Sequence, residues 1–270
     1  MSLSSRADAQ AALLAVLRAS IDDRAVEASQ SWFAQMSGIR DPSIRARLLA
    51  DRLVRLDTHF ALALLSELLD LASIRDPQAR ELLLDLTSTR PLADTVGYEQ
   101  TRLIYALAVK RGRRDVTQLF LSPEVLNPRT VSEHFLANEN QHLQSSSIGW
   151  RKKLARGTDR LRLDRLVFDR NPDVIRILLN NPRIIERDVV RIAAMRPANP
   201  KTLVVVFQSR KWLARYRVKV ALACNPWSPI DIALACVPHL MTQDLRYAAR
   251  NEKLAPQVRL AASDLLNGGA

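Results

Sequence analysis

Apolar residues recur three and four positions apart along most of this chain, the spacing that lines one face of an α-helix. The run IRDPSIRARLL, beginning at Ile39, carries Ile44, Leu48, Leu49 and Leu53 in that register. The run IRDPQARELLL, beginning at Ile74, carries Leu82, Leu83 and Leu86. The two runs lie 35 residues apart and share Ile, Arg, Asp, Pro, a later Arg and two Leu in step. Asp41 and Asp76 are predicted N-caps. Pro42 and Pro77 then fall at the first helical position, where a missing N–H leaves no bond unmade. A period of this length is one helical hairpin, the unit of stacked α-repeats.

The pattern loosens over residues 122–150. SPEVLNPRT holds two prolines, and ANENQHLQSSSIGW is polar and serine-rich. A short helix near 130–137 followed by a linker is expected there. Beyond it Asn-Pro recurs at Asn171-Pro172, Asn181-Pro182, Asn199-Pro200 and Asn225-Pro226, and Asn251 continues the series without the proline. Short apolar stretches lie between them, at 174–179, 188–194, 202–207, 217–223 and 257–262. Asn suits caps and turns, and Pro opens the helix that follows. Helices this short cannot bury a face alone and must stack on neighbours.

The run ValAlaLeuAlaCysAsnProTrpSerProIleAspIleAlaLeu (220–234) resembles the leucine-rich repeat variant, whose broader kin are HEAT-like helical repeats. Residues 178–190 and 248–261 match more loosely, so the resemblance covers about 170–266. It implies a curved array of short helices. A founding member of that variant class holds an iron–sulfur cluster on four cysteines. This chain has only Cys224 and Cys236, so the resemblance brings no cofactor with it.

These patterns predict an all-α protein. A helical N-terminal domain (1–140) is expected to lead through a basic linker (141–160) into an α-solenoid-like array of short repeats (161–270). Composition agrees: 47% of residues are hydrophobic, and only 7 of 270 are glycine, too few for a fold rich in turns with φ > 0. No stretch approaches the roughly 20 apolar residues needed to span a membrane. The N-terminal run reads as an amphipathic helix rather than a leader, and both cysteines sit in apolar helical pattern as buried thiols. A soluble cytoplasmic protein is the expectation.

Charge adds a direction. The net charge of +12 is distributed as −3 over residues 1–100, +2 over 101–150 and +13 over 151–270. Such asymmetry points to an anionic partner. The 33 arginines against 7 lysines also fit a GC-rich genome, which weakens any reading of each Arg as a contact. Two segments stand out. In 210–219, a continuous helix would line up Lys211, Arg215 and Lys219 on one face with Trp212 and Tyr216 beside them, a surface for phosphates or for an acidic protein. In 151–170, eight basic residues stand against three acidic ones, led by Arg151, Lys152, Lys153 and Arg156 after Trp150. Both segments also read as solvated faces of repeat helices.

Chemistry finds little purchase. The chain has no Walker A, GxGxxG, GxSxG or HExxH motif. Glu139 and His142 form half of a di-metal motif whose other half has no counterpart. Cys236 and His239 flank Pro238 in apolar sequence, a poor setting for a nucleophile. The expectation is a non-enzymatic interaction scaffold or adaptor without cofactor, metal or small-molecule substrate. Its C-terminal basic surface would engage an acidic protein. Phosphate-backbone contacts to a nucleic acid are the alternative, and an anionic membrane surface ranks below both.

Overall fold

The computed structural model describes residues 23–89, 91–120 and 146–267. The N-terminal amphipathic run, the helix expected near 130–137, the Glu139–His142 pair and the first residues of the expected linker lie outside them. All regular structure among the described residues is helical, and none of these helices is long and apolar enough to cross a membrane. The chain forms two compact units. The first comprises residues 1–122 with 241–250 and 259–270, and the second 123–240 with 251–258.

The first unit contains α1 (Asp23–Ser37), α2 (Pro42–Arg55), α3 (Thr58–Ser73), α4 (Pro77–Thr89), α5 (Pro91–Val96), α6 (Tyr98–Lys110) and α7 (Arg114–Gln118). Both repeated Asp-Pro starts act as caps. Asp41 accepts from the N–H groups of Ser43 and Ile44, and Asp76 from that of Ala79 at 2.8 Å. The centre of the unit is α3, which is apolar on almost every side and packs against α1, α4, α6 and α7. Arg113 clamps its C-terminal half, with Nη1 and Nη2 each 2.9 Å from the Asp70 carboxylate. Leu49, Leu53, Leu82, Leu83 and Leu86 are buried as the pattern predicts, whereas Ile44 and Leu48 face outward.

The second unit contains α8 (Ile148–Ala155), α9 (Arg160–Leu166), α10 (Pro172–Leu179), α11 (Glu186–Ala194), α12 (Pro200–Gln208), α13 (Arg210–Leu213), α14 (Tyr216–Ala223) and α15 (Ile230–Cys236), closed by a 3-10 turn at Val237–His239. Two further helices follow, α16 (Thr242–Arg250) and α17 (Pro256–Asn267). Residues 148–155, expected as linker, are thus a helix packed against α9 and α10. The reason is local: Ser147 caps it from its side chain, and Arg151 reaches the buried Asp169 at 2.7 Å.

The asparagines divide into two kinds. Asn171 and Asn199 cap α10 and α12, with proline at the helix start as expected. Asn181, Asn225 and Asn251 instead form turns. Each side-chain oxygen accepts from the N–H two residues on, each backbone carbonyl accepts from the N–H three residues on, and the next helix starts five residues later. Asn181 also donates to the carbonyls of Ala155 and Gly157 at 2.8 and 2.7 Å. Asn225 does the same to Ala193 and Met195 at 2.7 and 3.0 Å. One amide therefore satisfies the carbonyls that a neighbouring helix leaves open at its C-terminal end. These bonds bring the C-terminal ends of α8 and α10 together, and those of α11 and α14. Asn199 and Thr202 both reach the carbonyl of Arg170, which sets the start of α12 beside the start of α10.

Candidate interaction surface

The helix expected across 210–219 does not form. Its backbone is extended at Ser209 and at Arg215, so α13 is one short turn and α14 starts afresh at Tyr216. The apolar residues require the break. On one continuous helix the buried pair Trp212 and Leu213 would point about 150° away from Val218 and Leu222, and no single face could bury both pairs. The break lets Trp212 go inward. It is 4% exposed, and its indole Nε1 donates to the carbonyl of Leu179 at 2.8 Å. Trp212 is therefore a fastening and cannot stack on a base. Lys211 lies over its ring, 4.4 Å from the centroid, and Arg215 is exposed. Tyr216 is half-buried at the start of α14. Lys219 turns away to donate to His239 Nδ1 at 3.4 Å.

The other predicted cluster also splits. Arg151 is spent on Asp169 and Lys152 on Asp173, whose carboxyl is held below the usual carboxylate range by hydrogen bonds from Lys152 and Arg176 and by their charges. Lys153 remains outward over Trp150 at 5.2 Å, and Arg156 is exposed with one bond to its own backbone at Lys152.

The tertiary bonds instead build a different constellation at one end of the second unit. Asn181 ties the turn 180–185 to the turn after α8. Arg160 joins it there, with Nη1 at 3.0 Å from the Arg183 carbonyl. Trp212 ties the turn 209–215 to the end of α10. Three turns are so tied together; they carry Arg156, Arg183, Arg210, Lys211 and Arg215, and Arg187 follows the second of them in the first turn of α11, all exposed. Of the acids nearby, Asp159 caps α9 and pairs with Arg162, Asp188 is buried in a bidentate pair with Arg160 at 2.6 and 2.7 Å, and Glu186 stands beside Arg187 in the first turn of α11.

Sequence reasoning did not single out Arg183 and Arg187, which stand beside Glu186 and Asp188; a signal was present for Arg210, Lys211 and Arg215. From Asp188 to Asp231 the chain has no acidic residue and eight Lys or Arg. Cations in such a run lack local carboxylates; Lys211 and Arg215 are exposed, whereas Arg196 donates to the Cys224 carbonyl and Lys219 to His239.

The two cysteines lie inside the second unit, both buried as free thiols. Burial pushes the Cys236 thiol up to about 12, with the nearby charge of Lys219 only partly opposing it. A thiol raised this far is held in its protonated form at neutral pH. No family model, curated protein or solved structure matches the chain.

Proposed function

We propose that the second unit is a helical-repeat docking module, without catalysis of its own, that holds an acidic partner protein on its basic edge. The observation that carries this reading is that three turns locked to one another by backbone-directed bonds carry the exposed Arg156, Arg183, Arg210, Lys211 and Arg215, with Arg187 just beyond the second of them. Because the turns are fixed, the cations are gathered before any partner arrives, which lowers the entropic cost of association. Opposed charge of this kind speeds encounter and sets orientation.

The side-by-side packing of α8, α10 and α12, and the repeated asparagine tie, support an α-solenoid of the leucine-rich repeat variant or HEAT-like kind. Such arrays work mainly as binding surfaces. The acid-free run between Asp188 and Asp231 also supports a second reading, contact with a nucleic-acid backbone through the same edge. The inward Trp212 removes the stacking platform that single-strand binders use, which favours the protein partner.

The test is a titration of the full-length protein with fluorescent polyglutamate and with labelled DNA and RNA of matched charge, across about 50 to 200 mM salt. Polyglutamate bound at least as tightly as the nucleic acids supports the protein reading. A preference for nucleic acid with a steep salt slope replaces it with the second. Binding of neither removes the edge as a docking site.

A further inference from the structure

The first unit holds a feature independent of the basic edge. There α1 packs chiefly on α3 and only lightly on α4, while α2 packs closely on α4. The space left between the C-terminal end of α1, α2 and the first two turns of α4 is a hollow of about 300 Å³. Its floor is apolar, formed by Phe33, Met36, Ala79 and Leu82, each otherwise buried. Arg45, Pro77, Gln78 and Glu81 complete the lining, and of these Gln78 and Glu81 are exposed polar groups at the mouth.

The charges around the hollow are unequal. Arg45 is spent: Nε and Nη2 hold the buried Asp85 at 2.7 and 2.6 Å, and Nη1 donates to the Ile39 carbonyl at 2.8 Å. Pro77 has no N–H, and Asp76 already takes the N–H of Ala79 at 2.8 Å, so the start of α4 has little to give an anion. Glu81 makes no hydrogen bond or ion pair among the described residues. The neighbouring Arg80 feels its charge but does not line the hollow. Glu81 thus brings an uncompensated negative charge to the mouth, with Gln78 beside it at i−3 on α4.

We infer that this hollow binds a small molecule with an apolar body and a protonated amine at one end. The body, a ring or a short alkyl chain, lies on Phe33, Met36, Ala79 and Leu82. The ammonium donates to the Glu81 carboxylate and to the side-chain carbonyl of Gln78. Size and lining select a small ligand, because such sites run from roughly 300 to 1,000 Å³ and are apolar with a few placed polar groups. Charge selects the amine. An ammonium at the mouth stays partly hydrated, so it pairs with Glu81 without either charge being buried. A carboxylate there would meet Glu81 and find Arg45 already taken.

The test titrates the full-length protein, labelled with carbon-13 at its methionine methyls, with phenylpropylamine, phenylpropanol and phenylpropionate at neutral pH. The Met36 methyl signal, identified by Met36→Leu, should move with the amine, while those of Met195 and Met241 stay in place. The amine should bind roughly threefold or more tightly than the alcohol, as an exposed ion pair allows, and the propionate more weakly than both. Glu81→Gln changes an exposed side chain and should leave the fold intact. It should bring the amine down to the affinity of the alcohol and leave the alcohol unchanged. Ala79→Leu fills the floor and should weaken amine and alcohol alike by about tenfold or more. Circular dichroism reports whether that variant is folded, and Glu81→Gln decides the matter if it is not. A Met36 methyl that no amine moves overturns the inference. So does a propionate bound as tightly as the amine, an amine indifferent to Glu81→Gln, or unchanged affinity in folded Ala79→Leu.

Discussion

The side-chain amide of Asn181 donates to the carbonyl of Ala155 at 2.8 Å, across 26 residues of sequence. With the Gly157 carbonyl as second acceptor and the Arg183 N–H bound by its oxygen, this buried side chain joins the first two turns of the basic edge.

Asn181→Ala should therefore destabilise the second unit by about 2–3 kcal/mol, since it strands two carbonyls and an N–H. Asn181→Asp should cost more than the alanine. It keeps the oxygen that caps Arg183 but turns a carboxylate toward two carbonyls, and a buried acceptor facing acceptors is worse than none. Asn251→Ala removes only the local turn bond and should cost under about 1 kcal/mol. Urea unfolding of the three variants checks the order.

Acid should loosen the second unit through Asp188. Burial pushes this carboxyl up, but the bonds from Arg160 and the Ile185 N–H, with the charges of Arg160 and Arg191, outweigh it, and it ends below its ordinary range. A depressed carboxyl contributes stability above its unfolded value of about 3.9, and that contribution is lost as pH falls through the folded value. Asp70 in the first unit has the opposite sign. Burial raises it despite Arg113, so its cost is greatest when ionised and fades on acidification. Stability measured in steps below about pH 5 should fall less steeply in Asp188→Asn than in the parent, and more steeply in Asp70→Asn.

Cys224 and Cys236 should both resist thiol reagents in the native protein at pH 8 and react once it is unfolded. Reaction needs thiolate and access, and burial denies both to Cys236. Counting labelled thiols by mass, with and without denaturant, checks this. Rapid native labelling of Cys236 would contradict the buried state.

The legible part of this fold was local. Asp41, Asp76, Asn171 and Asn199 act as caps because a cap acts on N–H groups two or three residues away, within the reach of sequence pattern. What was not legible depended on distant partners. Arg151 and Lys152 looked like open cations because Asp169 and Asp173 stand 18 and 21 residues further on. Trp212 looked like a surface aromatic because its acceptor, Leu179, is 33 residues back. Asn181 and Asn225 looked like helix starts, and their amides serve neighbouring helices instead. Of the predicted contact residues, Lys153, Arg156, Lys211 and Arg215 are exposed cations, and the last three belong to the edge.

The most direct measurement is the affinity of labelled polyglutamate for the parent protein and for Arg183→Glu/Lys211→Glu/Arg215→Glu. All three side chains are exposed, so the fold should survive, as circular dichroism and the unfolding midpoint would report. The account predicts binding weaker by roughly thirtyfold or more and a flatter salt dependence, because one residue from the second turn and two from the third change sign. Equal affinity in a folded triple variant would contradict the claim that this edge is where the protein docks its partner.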